Sequence, residues 1–412
     1  MDNQRLILFA VLAALILMLW SAWEAEHRPA PVPVTKSETP ATPGTPSVPA
    51  APGSSAPQAV PSAIAQLENG ERIQVTTDVL QVEIDTVGGD LRQLDLRRHP
   101  VSADQPNKPF RLFTDQGKEV FVSQSGLIAR DTQLPYHKTR YSAEASRYEL
   151  ATGQNALTVR LTWSGPDGLR VAKIYTFHRN DYRVDLNYEV TNTGRKPREV
   201  YLYAQFLRAH VDVGYGLTTL PTYTGGVIYT AEKRYEKIDF DHIRNKQLAR
   251  DAEGGWVAML QHYFLGAWLP AAKDKIQFYS EAQSGNQYVI GYKTLSPTLV
   301  APGAKATLST HLYAGPKEHA RLEKLSEGMT LTVDYGWLTV IAAPLFWLLA
   351  WLHKLVGNWG WAIVLLTVLI KLVFYHCRAP VIAPWHTCAK CSRAWRRSRN
   401  ALATTNRNSI KR

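Results

Sequence analysis

Cysteine is absent from the first 375 of the chain's 412 residues; all three, Cys377, Cys388 and Cys391, sit in the last stretch. No disulfide framework can hold the body together, so its stability must come from a packed core. Acidic residues are missing from that last stretch as well, where nine Lys/Arg follow Tyr375 with no Asp or Glu. Of the formal net charge of +12, only +3 therefore belongs to residues 1–375. The basicity that would suggest a nucleic-acid partner is confined to a tail, and none is expected. There is no Walker loop, dinucleotide fingerprint, His-Glu-x-x-His or nucleophile elbow. His and carboxylates are scattered along the sequence, so no catalytic group, metal site or cofactor is indicated, and the chain reads as a non-enzyme. With 45% hydrophobic and 10% aromatic residues, wholesale disorder is excluded.

What is present begins with an uncharged run of 18 residues, Leu6 to Trp23. As a helix it would extend about 27 Å, close to the hydrocarbon thickness of a bilayer. The following Ser-Ala-Trp-Glu-Ala-Glu-His offers no small-x-small cleavage site, so residues 1–24 read as an uncleaved transmembrane anchor. Arg5 before the run and Glu24 and Glu26 after it place the N-terminus in the cytoplasm. Residues 29–61 carry ten of the 24 prolines, and the segment 25–65 reads as an extended, Pro-rich tether.

From about Ile73 the pattern changes to period two. Leu157, Val159, Leu161 and Trp163 share one face, and a turn at Ser164–Gly168 leads to Val171, Lys173, Tyr175 and Phe177. A second turn at Arg179–Asp181 leads to Tyr182, Val184, Leu186, Tyr188 and Val190. Further strands are predicted around 73–96, 197–210, 256–270, 276–293 and 306–314, and one helix over 317–327. Such strands separated by Gly/Asn/Asp/Pro turns mark an antiparallel, mainly β domain, and residues 66–328 are predicted to form a large sandwich.

A second apolar region follows. Trp337 to Trp351 is interrupted by Pro344 and punctuated by tryptophans, which predicts an interfacial amphipathic helix over 331–356. Gly357-Asn358 breaks the chain, and Trp359 to Tyr375 is a 17-residue run with one charge, Lys371. Residues 357–376 are predicted to recross the membrane, leaving the basic tail 377–412 inside. Lys371 lies about 18 Å along that helix from Trp359. A charge there costs about 2.5–3.5 kcal/mol unless it reaches water, a partner or the headgroups.

Four segments carry a family resemblance: TDVLQVEIDTVGGDLRQLDL (77–96), GGWVAMLQHYFLGAWLP (254–270), LTVDYGWL (331–338) and GNWGWAIVLLTVLIKLVFYH (357–376). In that order, after an anchor and a Pro-rich tether, they resemble the YidC/Oxa/Alb membrane protein insertases in their Gram-negative form. The resemblance implies an inner-membrane, multi-pass chaperone and insertase with a periplasmic β-supersandwich of mutarotase-like fold. It also implies five core helices around a hydrophilic groove, with nascent membrane proteins, the Sec translocon and the bilayer as partners. Lys371 matches the family's groove-facing positive residue, where several relatives carry Arg, and becomes the candidate substrate-contact residue. The rival reading, a membrane-anchored carbohydrate-binding or mutarotase-like protein, would require clustered His and carboxylates in a cleft.

The resemblance stops at Tyr375. His386-x-Cys388-x2-Cys391 looks like half a zinc site but lacks a second pair at the usual spacing. Read one base earlier from Tyr375, permitted codons for the tail yield PLSxASYRSMAHMRKVQPRLAALKERxGDD, the family's own continuation. The tail therefore reads as an out-of-frame translation, Cys388 and Cys391 as artefacts of it, and the chain as written is expected to be insertion-defective.

Overall fold

The computed structural model describes residues 67–378 apart from Lys118, Pro166, 211–222, Gly285 and 334–338. The expected anchor (1–24), the tether (25–65) and the tail from 379, with Cys388 and Cys391, lie outside the described residues.

Twenty strands, numbered in chain order, form two sheets. Along the first lie β14 (Ala249–Glu253), β17 (Lys275–Gln283), β18 (Gln287–Thr294), β11 (Arg198–Ala209) and β5 (Phe121–Ile128). It continues through β3 (Leu91–Pro100), β2 (Leu80–Asp85), β1 (Arg72–Thr76) and β7 (Arg147–Glu149); β19 (Thr298–Val300) joins β11 and β4 (Pro109–Phe113) joins β3. The second sheet runs β13 (Arg234–Ile238), β12 (Gly225–Thr230), β15 (Trp256–Leu260), β16 (Phe264–Leu269) and β20 (Lys305–Pro316). Beyond β20 come β10 (Arg183–Asn192), β9 (Leu169–His178), β8 (Ala156–Ser164) and β6 (Ser142–Ala143). Apart from the parallel pair β1–β7, the pairings among the described strands are antiparallel.

The local reasons are visible in β8 to β10. Gly165 N–H donates to Leu169 O at 2.8 Å, closing the hairpin at the predicted Ser164–Gly168 turn, where Gly168 takes φ +76°. Asn180 takes φ 57° in the next turn, a conformation that Asn tolerates better than most residues. Fixed by these turns, the register turns Val159, Leu161, Val171, Tyr175, Phe177, Val184, Leu186, Tyr188 and Val190 away from water. Leu157 and Trp163, at the strand ends, are only half-buried.

The two sheets share one hydrophobic core. Val184 and Leu186 of the second sheet belong to the same cluster as Ile84, Leu94, Leu202 and Phe206 of the first. Trp268 and Phe206 pack with ring centroids 6.2 Å apart, and Phe113 meets Phe121 edge-on at 4.8 Å. Full burial of a Leu-, Val- or Phe-sized side chain stabilises by about 1.5–3 kcal/mol, so this interior is what holds a domain without disulfides. Among the apolar neighbours of β9, Lys173 is a charged residue on that inner surface. Its fully buried ammonium donates to Gly88 O at 2.8 Å and Ser125 O at 3.3 Å, joining the second sheet to the first.

Two short helices complete the domain: α1 (Phe240–Asn245), capped by Asp239 Oδ1 on His242 N–H, and α2 (His319–Leu325). After α2 the chain is pinned against β12 and β15. Trp256 Nε1 donates to Glu327 O at 2.9 Å, and a 3-10 turn over Met329–Thr332 buries Met329 and Thr332.

Two glycines separate conformational strain from lack of space. Gly303 has φ +76° with nothing within 4 Å of an added Cβ, whereas Gly255 has φ +96° and its Cβ would stand 2.1 Å from Tyr229 O. Gly303→Ala should cost about 1–2 kcal/mol from the left-handed backbone alone. Gly255→Ala should cost more than about 3 kcal/mol, because backbone must also move. Urea unfolding midpoints followed by near-UV circular dichroism check the ranking; equal losses would contradict it.

Candidate functional site

Beyond the domain the chain forms two helices, α3 (Thr339–Val356) and α4 (Trp359–Arg378). Pro344, expected to interrupt the first, lies within α3, which runs on through it. As the sixth residue of α3, Pro344 lacks the N–H that would bond to Val340 O, so the helix continues with one i→i−4 bond missing. The break falls instead at Gly357-Asn358. Gly357, at φ +69°, donates its N–H to His353 O at 2.8 Å and closes α3. Asn358 then opens α4, its Oδ1 accepting from Gly360 N–H at 2.8 Å. His353 stacks on Trp359 across the turn at 3.9 Å, and the two helices pack through Leu352 and Ala362, both buried.

Apart from that contact, the pair presents apolar side chains outward. Trp347, Leu355, Trp361, Leu372 and Phe374 are each more than 60% exposed. The exposed side of α3 carries Trp347, Trp351 and Leu355 rather than the polar face of an ordinary surface helix, and Lys354 comes only in its last turn. Trp351, Trp359 and Trp361 gather near the turn. Among the described residues no helix is long and apolar enough to cross a membrane, the side chains of α4 being described only as far as Phe374.

Lys371 is exposed on α4 and makes no ion pair or hydrogen bond among the described residues. Ala362, Leu366 and Ile370, one helical turn apart, are the less exposed positions of α4. Lys371 lies about 140° around the helix from the middle of that row. It shares its face with Gly360, Val364 and Thr367, whose hydroxyl donates to Ile363 O at 2.8 Å. Lys371, Gly360 and the Thr367 hydroxyl thus line up on the side turned away from the Ala362–Leu366–Ile370 row.

The domain itself holds one polar group that the scattered sequence positions did not suggest. Pairing of β9, β10 and β20 brings His178 and His311 to the two oxygens of Asp185, each at 2.7 Å, with Arg183 Nε at 3.2 Å. The hydrogen bond from His311, with that from His178 and the charge of Arg183, holds the Asp185 carboxyl down at about 2 against partial desolvation. Only strand register could have revealed this cluster, since His311 lies 126 residues from Asp185. Among the described residues no group of three or more His, Cys, Asp or Glu could hold a metal ion. A shallow groove of about 200 Å³ near Trp163 is lined by Arg160, Arg170, Glu189 and Lys305, with no His. Glu189 pairs with both Arg160 (2.8 Å) and Lys305 (3.0 Å), so the groove's carboxylate is already committed.

The described chain is thus a two-sheet β domain followed by a helix pair that exposes apolar side chains and bears two lysines, Lys354 at the end of α3 and Lys371 on α4. The family model of the YidC periplasmic domain matches residues 72–348, from β1 into α3. "Membrane protein insertase YidC" of Nitrosospira multiformis is 42% identical over 397 residues, covering 91% of this chain and 69% of that protein. The protein of the same name from Methylococcus capsulatus is 41% identical over 389 residues, covering 91% and 69%. The chain belongs to the YidC membrane protein insertase family. Solved structures of a galactose mutarotase-like protein from Lactobacillus casei (11% identity, TM-score 0.38, 59% of this chain and 99% of that one) and a putative aldose 1-epimerase from Escherichia coli (10%, 0.34, 59% and 98%) are also similar. At those scores they carry no weight for function.

Asn358→Ala should cost α4 about 1 kcal/mol at its first turn. Amide exchange at Gly360 and Trp361 is then expected to quicken roughly five-fold, and unchanged protection would show that the cap is idle. For Asp185, whose folded pKa lies below the ordinary aspartate value of 3.8, the stabilisation is present above that value and is lost as pH falls toward 2. Asp185→Asn should flatten the fall in urea midpoint between roughly pH 4 and 2; an unchanged slope would mean the carboxylate is not held this way.

Proposed function

We propose that the in-frame product of this sequence serves membrane protein insertion in the inner membrane, with its β domain in the periplasm and the Lys371 face of α4 as the contact for entering segments, and that the chain as written is insertion-defective. The observation that carries this reading is a single exposed lysine on the small, polar face of an otherwise apolar helix. In water such a helix pair would aggregate, so lipid is the surroundings that suit it. In lipid, an isolated ammonium is tolerated only beside water, headgroups or a partner.

The tryptophans around Gly357 fit one membrane interface, with Lys371 deeper along α4 toward the other. With Leu6–Trp23 as a first span, the N-terminus and the basic tail are both cytoplasmic. An acidic flank of an entering segment would be drawn toward Lys371 while its apolar part partitions into lipid, with no nucleotide and no covalent step. Nascent membrane proteins, the bilayer and the Sec translocon are the partners this reading implies.

The tail after Tyr375 is read as an out-of-frame stretch. We therefore assign the insertase activity to the in-frame product. The carbohydrate reading is not favoured, because the His178–Asp185–His311 group lies on an open sheet face and its hydrogen bonds are internal.

Resequencing codons 374–377 tests the frame, and an intact frame through Tyr375 into His376-Cys377 would exclude a sequencing error. In a frame-restored protein, Lys371→Ala should lower insertion of substrates with acidic extracellular flanks about five-fold, the equivalent of about 1 kcal/mol of partly hydrated ion pairing. Neutral-flank substrates should insert as before. Equal insertion of acidic-flank substrates by both proteins would refute the role of Lys371.

A further inference from the structure

The polar centre of the β domain has an irregularity that ion pairing alone does not explain. Asp90 lies between Lys173 and Arg92, and all three side chains are at most 1% exposed. Yet neither pair is in direct hydrogen-bond contact: Lys173 Nζ stands 3.9 Å from Asp90 Oδ1, and Arg92 Nη2 stands 4.0 Å from Asp90 Oδ2. Asp90 Oδ2 accepts from Gln124 Nε2 at 3.1 Å, while Lys173 spends its protons on Gly88 O and Ser125 O. Arg92 gives one bond, from Nη2 to Glu68 O at 3.2 Å.

Three tyrosine rings surround the ammonium, at 5.9 Å for Tyr141, 5.5 Å for Tyr175 and 5.6 Å for Tyr188. The hydroxyl of Tyr175 donates to Gly89 O and that of Tyr188 pairs with Ser125 Oγ. Among the described residues the hydroxyl of Tyr141 has no hydrogen-bond partner, and neither do Asp90 Oδ1, Arg92 Nε or Arg92 Nη1, all of them buried. Buried polar groups in folded proteins are nearly always hydrogen-bonded, and charged pairs held near 4 Å are commonly bridged.

We infer that Asp90, Arg92 and Tyr141 form an internal hydration site, in which one or two water molecules bridge the carboxylate, the guanidinium and the phenol at the junction of the two sheets. The mixture of unpartnered groups identifies the ligand class. Arg92 contributes donors and Asp90 an acceptor, so the occupant must both accept and donate. Water does, whereas a halide or other small anion would face the Asp90 carboxylate, and a cation would face Arg92 and Lys173. Three or so polar partners is also the usual complement of a buried water. Lys173 borders the site, with two of its three N–H donors given to the carbonyls of Gly88 and Ser125.

The test is a crystal structure of the full chain at a resolution that orders solvent, with a second crystal soaked in bromide. The expected result is solvent density within hydrogen-bond distance of Asp90 Oδ1 and of at least one of Arg92 Nε, Arg92 Nη1 or Tyr141 Oη, with no anomalous peak after bromide. A bromide peak would make the site an anion site, and direct contact between these side chains with no density between them would abolish it; either result overturns the inference. A Tyr141→Phe chain in detergent gives an independent reading. A water that loses one of several partners reorients, so the melting temperature of the β domain should fall by less than about 3 °C. A larger fall would show that the hydroxyl has a protein partner and would overturn its place in the site.

Discussion

Lys173 enters the space between two sheets with its ammonium wholly removed from water, and the surrounding structure is arranged around that charge. Burial alone would drive the ammonium toward its neutral form, and burial alone would drive Asp90 toward its protonated form. Their mutual attraction opposes both tendencies, and Arg92 adds to the attraction on Asp90. The carbonyls of Gly88 and Ser125 come from the first sheet, so satisfying Lys173 fixes where β9 lies against the 86–90 turn and β5. An apolar interior can slide by small amounts at little cost, whereas a buried ammonium with two carbonyl acceptors cannot. Such a centre need not raise stability, since well-packed apolar replacements of buried ion pairs are often as stable. What it supplies is a definite register between sheets that otherwise meet through interchangeable aliphatic groups.

The helix pair obeys the opposite rule. In the β domain, exposed large apolar residues are few, Tyr263 and Leu299 among them, and they stand apart. On α3 and α4 they are continuous, because the pair buries little more than Leu352 and Ala362 between its own members. Both parts come from one chain of 45% hydrophobic residues. The difference lies in period. Alternation by two hides every second residue of a strand between sheets, while a helix that is apolar around its circumference hides only the strip touching its neighbour. The membership of the chain in an insertase family gives that exposed surface a natural solvent.

Much of this was legible from residue order where local chemistry decides the outcome. The strands β8, β9 and β10 fall within a few residues of their predicted limits, because Gly168 and Asn180 set the turns and alternation sets the faces. The break at Gly357-Asn358 was legible for the same reason. Legibility failed where tertiary context decides. In β5 (FVSQSGLI) and β12 (GGVIYT) every residue is buried, so neither strand shows alternation, and α1 is too short to have a period. Lys173 was visible on an inward position of its strand, but its acceptor Gly88 lies 85 residues away and no local pattern points to it. The His178–Asp185–His311 group was hidden in the same way, as a product of register across three strands.

Two lysines therefore mark the two environments of this chain, and they carry opposite information. Lys173 occurs in a strand whose neighbours are apolar, and the fold answers its charge with carbonyls, a carboxylate and aromatic faces, leaving nothing for a ligand of opposite charge to do. Lys371 occurs in a helix whose neighbours are apolar, and among the described residues nothing answers its charge. A buried cation that is fully answered is a structural element. The cation of Lys371 stands on the face of an apolar helix, aligned with Gly360 and Thr367 and turned from the row that is less exposed. The same residue type, met in two apolar runs of similar composition, is distinguished only by what the rest of the chain brings to it. For this reason Lys371 and not Lys173 is the residue on which the functional reading rests.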